Sequence, residues 1–265
     1  IERHDPLAIE TMDDTLLDLA RGDEAWTLAA PVLEASSNGA KRADLRVVNL
    51  VEFAGDDEAS VHAAAERLAE EAKQRAGRPH QPISAAIAVD RDRQAALWNL
   101  RKRAVGMLGR LPGARKPVAF VEDCAVPPER LRPFVSSFRA VLDDAGLTYG
   151  MFGHIDVGCL HVRPALDMTN PDDQRMVRRI TDQVVELAKE YGGILWGEHG
   201  KGVRGEFNPE FMGRDVYELM RRIKAAFDPH NQLNPGKLAT PAGEETEALL
   251  TIESSTRGEL DRQIE

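Results

Sequence analysis

The sequence predicts an α+β fold: an antiparallel sheet with helices packed on one face, built from ferredoxin-like split βαβ units. Three observations carry this. Strand-like and helix-like periodicities alternate along most of the chain, and in places one strand-like segment follows another directly. The 265 residues are 42% hydrophobic, enough to bury a core in one large domain or two small ones. No P-loop lysine motif occurs, so no such loop is offered to a nucleotide here. A doubly wound parallel sheet is the alternative arrangement of the same elements.

Residues 9–20 place Met12, Leu16 and Leu19 at helical spacing and predict a helix. Residues 45–53 alternate, with Leu45, Val47, Val51 and Phe53 on one face of a predicted strand. The acidic break GDDEAS then favours the start of a helix over 57–75, striped by Val61, Ala65, Leu68 and Ala72. Residues 82–90, PISAAIAVD, read as a strand, and 91–108 as a helix carrying Trp98, Arg101 and Arg103. After the turn PGARKP, residues 118–126 read as a strand. PPE opens a helix with Leu131, Phe134, Val135, Phe138 and Leu142 on one face, which stops at Gly146. Residues 147–153 form another predicted strand. Asn170 as N-cap, Pro171 at the first helical position and two following aspartates start the clearest helix, with Met176, Ile180, Val184, Leu187 and Tyr191 as its buried stripe. Gly192 and Gly193 end it. ILWGEHGKG reads as a short strand entering a loop, and residues 213–227 as a last helix closed by DPHNQLNPGK. The expected organisation is one domain over 1–240 and a polar linker over 241–265.

The formal net charge of −10 disfavours a broad nucleic-acid surface. No apolar run reaches the roughly 18–20 residues that cross a bilayer, and no basic-then-apolar leader opens the chain. Both point to a cytoplasmic protein, and homo-oligomerisation stays open. Cys124 and Cys159 are too few for a disulfide scaffold and read as buried thiols. Both ends read as cut from a longer polypeptide: the chain begins IERHDP and finishes STRGELDRQIE.

GHIDVGCLHVRP, residues 153–164, sets His154 and His161 seven apart. On an unbroken strand such positions face opposite sides. Gly158 permits a turn or bulge that brings both rings to one side. Two imidazoles are usual ligands for zinc or a similar divalent ion, and Glu198, bracketed by Gly197 and Gly200 in WGEHGKG, is the best third ligand. Two histidines, a carboxylate and an open position describe a catalytic site rather than a structural one. Taken alone, the same histidines also read as polar turn residues. His199 is suited to take a proton near neutral pH. Arg101, Arg103, Lys116, Arg163, Lys201 and Arg204 are candidates for an anionic substrate, and Arg163 shares the face of His161 on a regular strand. Each of these cations also reads as a surface ion-pair member. The constellation alone leaves open a metal-dependent hydrolase, or an interaction module without chemistry.

GHIDVGCLH, GGILWGEHGKG and IKAAFDPHNQLNPGK together resemble the C-terminal domain of the FAD-linked oxidases, the superfamily of D-lactate dehydrogenase, glycolate oxidase and D-2-hydroxyglutarate dehydrogenase. HVRPALDM and FVEDCAVPPE resemble most the large bacterial D-2-hydroxyglutarate dehydrogenases. The resemblance implies an antiparallel sheet covered by helices, with a flavin domain before this region and an iron–sulfur segment after it. It implies His154, His161 and Glu198 as metal ligands, His199 as the base, Arg101 on the substrate carboxylate, and Asn234 near the flavin. It implies oxidation of a small 2-hydroxy acid, D-2-hydroxyglutarate foremost, with hydride passing to FAD. The commoner motif reads GHxGDGNxH; here Asp156, Val157 and Cys159 replace its Gly, Asp and Asn, and Arg163 stands where an Asn is frequent.

Overall fold

Asp13 divides the first predicted helix into a strand and a helix. The computed structural model describes residues 1–35, 45–76, 84–200, 202–235 and 237–239. In it, β1 (Ala8–Met12) runs directly into α1 (Asp14–Ala20). Asp13 accepts the Leu16 N–H at 3.0 Å as N-cap, while its second carboxylate oxygen accepts the Met151 N–H at 2.9 Å. The helical spacing of Met12, Leu16 and Leu19 arises across this junction, so periodicity alone misassigned residues 9–12.

Two compact units divide the chain: residues 1–112 with 150–156, and residues 113–149 with 157 onward. Further elements of the first unit are α2 (Glu24–Ala35), β2 (Val48–Glu52), α3 (Glu58–Arg75) and α4 (Arg91–Met107). The sequence reading had no helix at α2. β1 pairs antiparallel with β2, Ala8 facing Glu52 and Met12 facing Val48. On its other side β1 pairs antiparallel with residues 152–154, which sets Glu10 opposite His154. The core gathers Met12, Leu16, Leu17, Trp26, Leu100, Met107, Leu108 and Phe152. At about 25 cal/mol per Å² of apolar area removed from water, this burial is the main stabilising contribution.

The expected strand over 82–90 does not form in its described part, residues 84–90. Gln94 Nε2 there donates to the carbonyls of Ala88 at 3.0 Å and Val89 at 3.3 Å. Asp90 caps α4 by accepting the Arg93 N–H at 2.9 Å. The segment thus serves as the entry to a helix.

The second unit contains β3 (Lys116–Pro117), β4 (Cys124–Ala125), α5 (Pro128–Asp144), β6 (Cys159–Leu166) and α6 (Pro171–Glu190), followed by α7 (Asn208–Met212) and α8 (Arg214–Phe227). β5 (Tyr149–His154) begins at the boundary between the units and belongs almost wholly to the first. β3 and β4 both pair antiparallel with β6. α5 buries Leu131, Phe134, Phe138 and Leu142, all four from the predicted stripe. α6 buries Val177, Ile180, Thr181, Val184, Val185 and Ala188, so its inward face is rotated from the predicted one and keeps only Ile180 and Val184 of it in the fully buried set. α8 buries Tyr217 but leaves Val216, Leu219, Ile223 and Phe227 exposed.

The strand predicted over 118–126 shrinks to β4, because Asp123 has φ +71° and interrupts the extended run. The strand predicted at Ile194 is a single bridge to Ala125. The antiparallel sheet pairings with packed helices agree with the predicted α+β class. Residues 241–265 lie outside the described residues. Among those described, no helix is long and apolar enough to cross a membrane.

Candidate active site

In the second unit, Asp123 is fully buried and organises the chain around it. Its carboxylate oxygens accept the backbone N–H of Glu198 and of His199, each at 2.9 Å. Its carbonyl accepts the Gly197 N–H at 2.7 Å, and its own N–H donates to Leu160 O at 3.0 Å. The left-handed backbone at Asp123, unusual outside glycine, accompanies this aim of the carboxylate. Arg204 braces the same layer by donating to the carbonyls of Glu122, Leu195 and Gly200. That engagement replaces the substrate role considered for it.

The bonds to Asp123 fix the backbone that carries Glu198 and His199. Glu198 Oε1 lies 3.0 Å from His161 Nε2 and 3.2 Å from His199 Nε2. The two imidazoles stack with centroids 4.7 Å apart and planes 13° apart. His161 is buried, whereas Glu198 and His199 are about half exposed, with side-chain accessibilities of 2%, 47% and 43%. One buried nitrogen thus meets two groups that reach solvent.

Glu122 forms the second layer. Its Oε2 accepts from Arg163 Nε at 2.7 Å, and its Oε1 lies 3.4 Å from His199 Nδ1. Arg163, expected to grip substrate, is engaged with this carboxylate. Cys159 Sγ lies 3.6 Å from Asp123 Oδ1. Burial, with Asp123 and Glu198 adding to it, pushes the Cys159 thiol up to about 12. Two sets of side chains offer ligand atoms within 4.8 Å of one another: Asp123, Cys159, His161 and Glu198; and Glu122, His161 and His199. Two ligands of a tetrahedral zinc stand about 3.3 Å apart, close to the 3.0 Å between His161 and Glu198.

The first unit holds a separate charged cluster. Glu10 Oε1 lies 2.6 Å from His154 Nδ1, and Glu10 Oε2 accepts from Arg101 Nε at 3.0 Å and Nη2 at 2.9 Å. The Arg101 guanidinium sits over the Phe152 ring at 4.9 Å. His154 therefore has Nδ1 committed to a carboxylate. Of the three predicted metal ligands, His161 and Glu198 meet in the second unit, and His154 belongs to the first.

Lys116 is an exposed residue of β3. Asn234 is exposed in a turn with φ +45°, and its carbonyl accepts the Lys237 N–H at 3.3 Å. Lys201 is outside the described residues. Glu10, Glu122 and Asp123 escaped the sequence reading. Glu10 fell in a segment read as helix, and Glu122 and Asp123 in a segment read as an ordinary strand. The only local signal was an adjacent acidic pair inside an apolar run, FVEDCAV.

Comparison with known proteins agrees with these motifs. The chain is 45% identical to a D-2-hydroxyglutarate dehydrogenase of Pantoea ananatis over 263 residues, covering 97% of this chain and 25% of that protein. Identity to the D-2-hydroxyglutarate dehydrogenase of Escherichia coli is 45% over 264 residues, with the same coverage of both. The glycolate oxidase subunit GlcD of Bacillus subtilis is 31% identical over 59% of this chain and 33% of its own. The chain thus spans about a quarter of the length of the D-2-hydroxyglutarate dehydrogenases it matches. The solved 4-ethylphenol oxidase from Gulosibacter chungangensis has the same fold with a TM-score of 0.59 at 16% identity, over 89% of this chain and 48% of that one. Residues 1–238 match the model of the FAD linked oxidases, C-terminal domain. The chain belongs to that family of FAD linked oxidase C-terminal domains.

Proposed function

We propose that this chain supplies the substrate-binding and proton-transfer half of a flavin-dependent 2-hydroxy-acid dehydrogenase, with D-2-hydroxyglutarate as substrate. The observation that carries the reading is the meeting of His161 Nε2 and His199 Nε2 on one oxygen of Glu198, in a member of this family. The relatives' names support the substrate assignment over D-lactate or glycolate. The hydrolytic alternative uses the same residues and gains no support from the family.

The donor set fits a divalent ion such as zinc: one buried imidazole nitrogen and one carboxylate oxygen, with His154 as a further candidate ligand through Nε2. Such an ion, when bound, supplies Lewis acidity that eases loss of a ligated hydroxyl proton. FAD, held by another domain of the parent polypeptide with Asn234 near it, would supply the acceptor for hydride. An iron–sulfur segment joined through residues 241–265 completes the proposed parent.

His199 takes the substrate hydroxyl proton. Its Nδ1 lies 3.4 Å from Glu122 Oε1, and its Nε2, the nitrogen that takes the proton, lies beside Glu198 Oε1 at 3.2 Å on the half-exposed side of the site. Arg163 fixes Glu122 from the other side, so the ring is positioned before substrate arrives. Asp123 holds the backbone of the base and of Glu198 together by accepting a hydrogen bond from each amide N–H. Arg101 and Lys116 supply positive charge for the substrate carboxylates, Arg101 while tied to Glu10.

The test is turnover of D-2-hydroxyglutarate by the flavin-containing parent with a dye acceptor, beside His199→Ala. A loss of about 10²–10⁴-fold in kcat is expected. Unchanged turnover in His199→Ala, or oxidation of D-lactate or glycolate in preference, overturns the corresponding part of the reading.

A further inference from the structure

We propose that Cys159 is a sulfur ligand of the divalent ion and makes the site select zinc-like metals over magnesium. The inference rests on the metal reading above and deepens it. β6 carries Cys159 and His161 two positions apart, so both side chains leave the same face of the strand. The Cys159 sulfur, a His161 ring nitrogen, a Glu198 oxygen and an Asp123 oxygen all lie within 4.8 Å of one another.

Gly197 admits the thiol to this group. A Cβ at position 197 would stand 2.7 Å from Cys159 Sγ and 3.3 Å from Asp123 Oδ1. Any side chain there would push the sulfur away from the backbone that presents Glu198. Asp123 is the weaker fourth candidate, because its two oxygens already accept the amides of Glu198 and His199. Sulfur, nitrogen and oxygen ligands of a tetrahedral ion stand about 3.5 Å apart. Movement of the Cys159 side chain on the order of 1 Å therefore closes the set. Binding releases the thiol proton to solvent. A thiolate in the set favours zinc or cobalt, whereas magnesium prefers oxygen ligands alone.

The experiment is titration of the chelator-stripped protein with Co²⁺, followed by competition with Zn²⁺ and Mg²⁺. Wild type is expected to show a sulfur-to-cobalt charge-transfer band in the near ultraviolet. Cys159→Ser and Cys159→Ala, shown folded by circular dichroism, are expected to lose that band. Their zinc affinity should fall about 100-fold or more, since even the partners of metal ligands are worth about 10–100-fold. Cys124→Ser, the other buried thiol, should keep the band. Cobalt binding that depends on His161 but shows no sulfur band removes Cys159 and leaves the metal reading standing. No cobalt binding by the wild type removes both.

Discussion

Asp123 Oδ2 accepts the backbone N–H of His199 at 2.9 Å, while Oδ1 accepts that of Glu198 at the same distance. One carboxylate thereby fixes the backbone of both residues. Asp123→Asn keeps the shape but replaces one acceptor by an NH₂ donor. Asn tolerates the φ of +71°, so backbone strain does not confound the comparison. A stability loss of about 1–3 kcal/mol is expected from the amide left facing a donor, read from urea unfolding. Asp123→Ala should lose more, since alanine also carries the left-handed backbone cost of about 1–2 kcal/mol.

Glu122 lies against both Arg163 and His199, so in the proposed mechanism it positions the proposed base. Glu122→Gln in the flavin-containing parent should lower kcat by up to about 100-fold, with little change in KM. Steady-state kinetics separate this from substrate binding. A rise in KM with kcat unchanged would place Glu122 on the substrate instead.

Gly158 ends the turn before β6 with φ +69°, and a Cβ there would stand 1.8 Å from the Val126 carbonyl oxygen. That carbonyl belongs to backbone and has no rotamer by which to retreat. Gly158→Ala should cost roughly 3 kcal/mol or more. Thermal unfolding measures it, with Gly113→Ala as the comparison: the same sign of φ, but nothing within 4 Å.

Asp23 is held down to about 2, first by the Ala25 backbone N–H and then by Arg110, with Arg103 adding. Its folded pKa is lower than its unfolded one of about 3.9. The stabilisation is therefore present above pH ~4 and lost as pH falls through about 2. Unfolding midpoints measured from pH 5 to pH 2 should fall less steeply for Asp23→Asn than for wild type, the Asp23-dependent part having been removed already.

The elements that were legible from sequence are those whose pattern is local. α5 shows its buried face as a repeating apolar stripe and its start as a proline. Glu198 was singled out by the glycines that bracket it, and of these Gly197 lies against Cys159 and Asp123. What escaped was nonlocal. Glu10 matters because strand register sets it opposite His154, a fact about pairing rather than composition. β1 was misread because apolar residues on either side of Asp13 happen to fall at helical intervals. Asp123 was hidden because its left-handed backbone turns a strand-like run into a clamp, and no residue type announces that.

The bare face of α8 carries a cost of another kind. Val216, Leu219, Ile223 and Phe227 make a greasy ridge along the helix, with Phe227 85% exposed. A net charge of −10 keeps copies of the chain apart in dilute buffer. Salt shortens the reach of that repulsion to about 8 Å at physiological strength and leaves the ridge untouched. Purified by itself, the chain should therefore cloud as ionic strength rises, and a dilute low-salt buffer is the condition in which it keeps best.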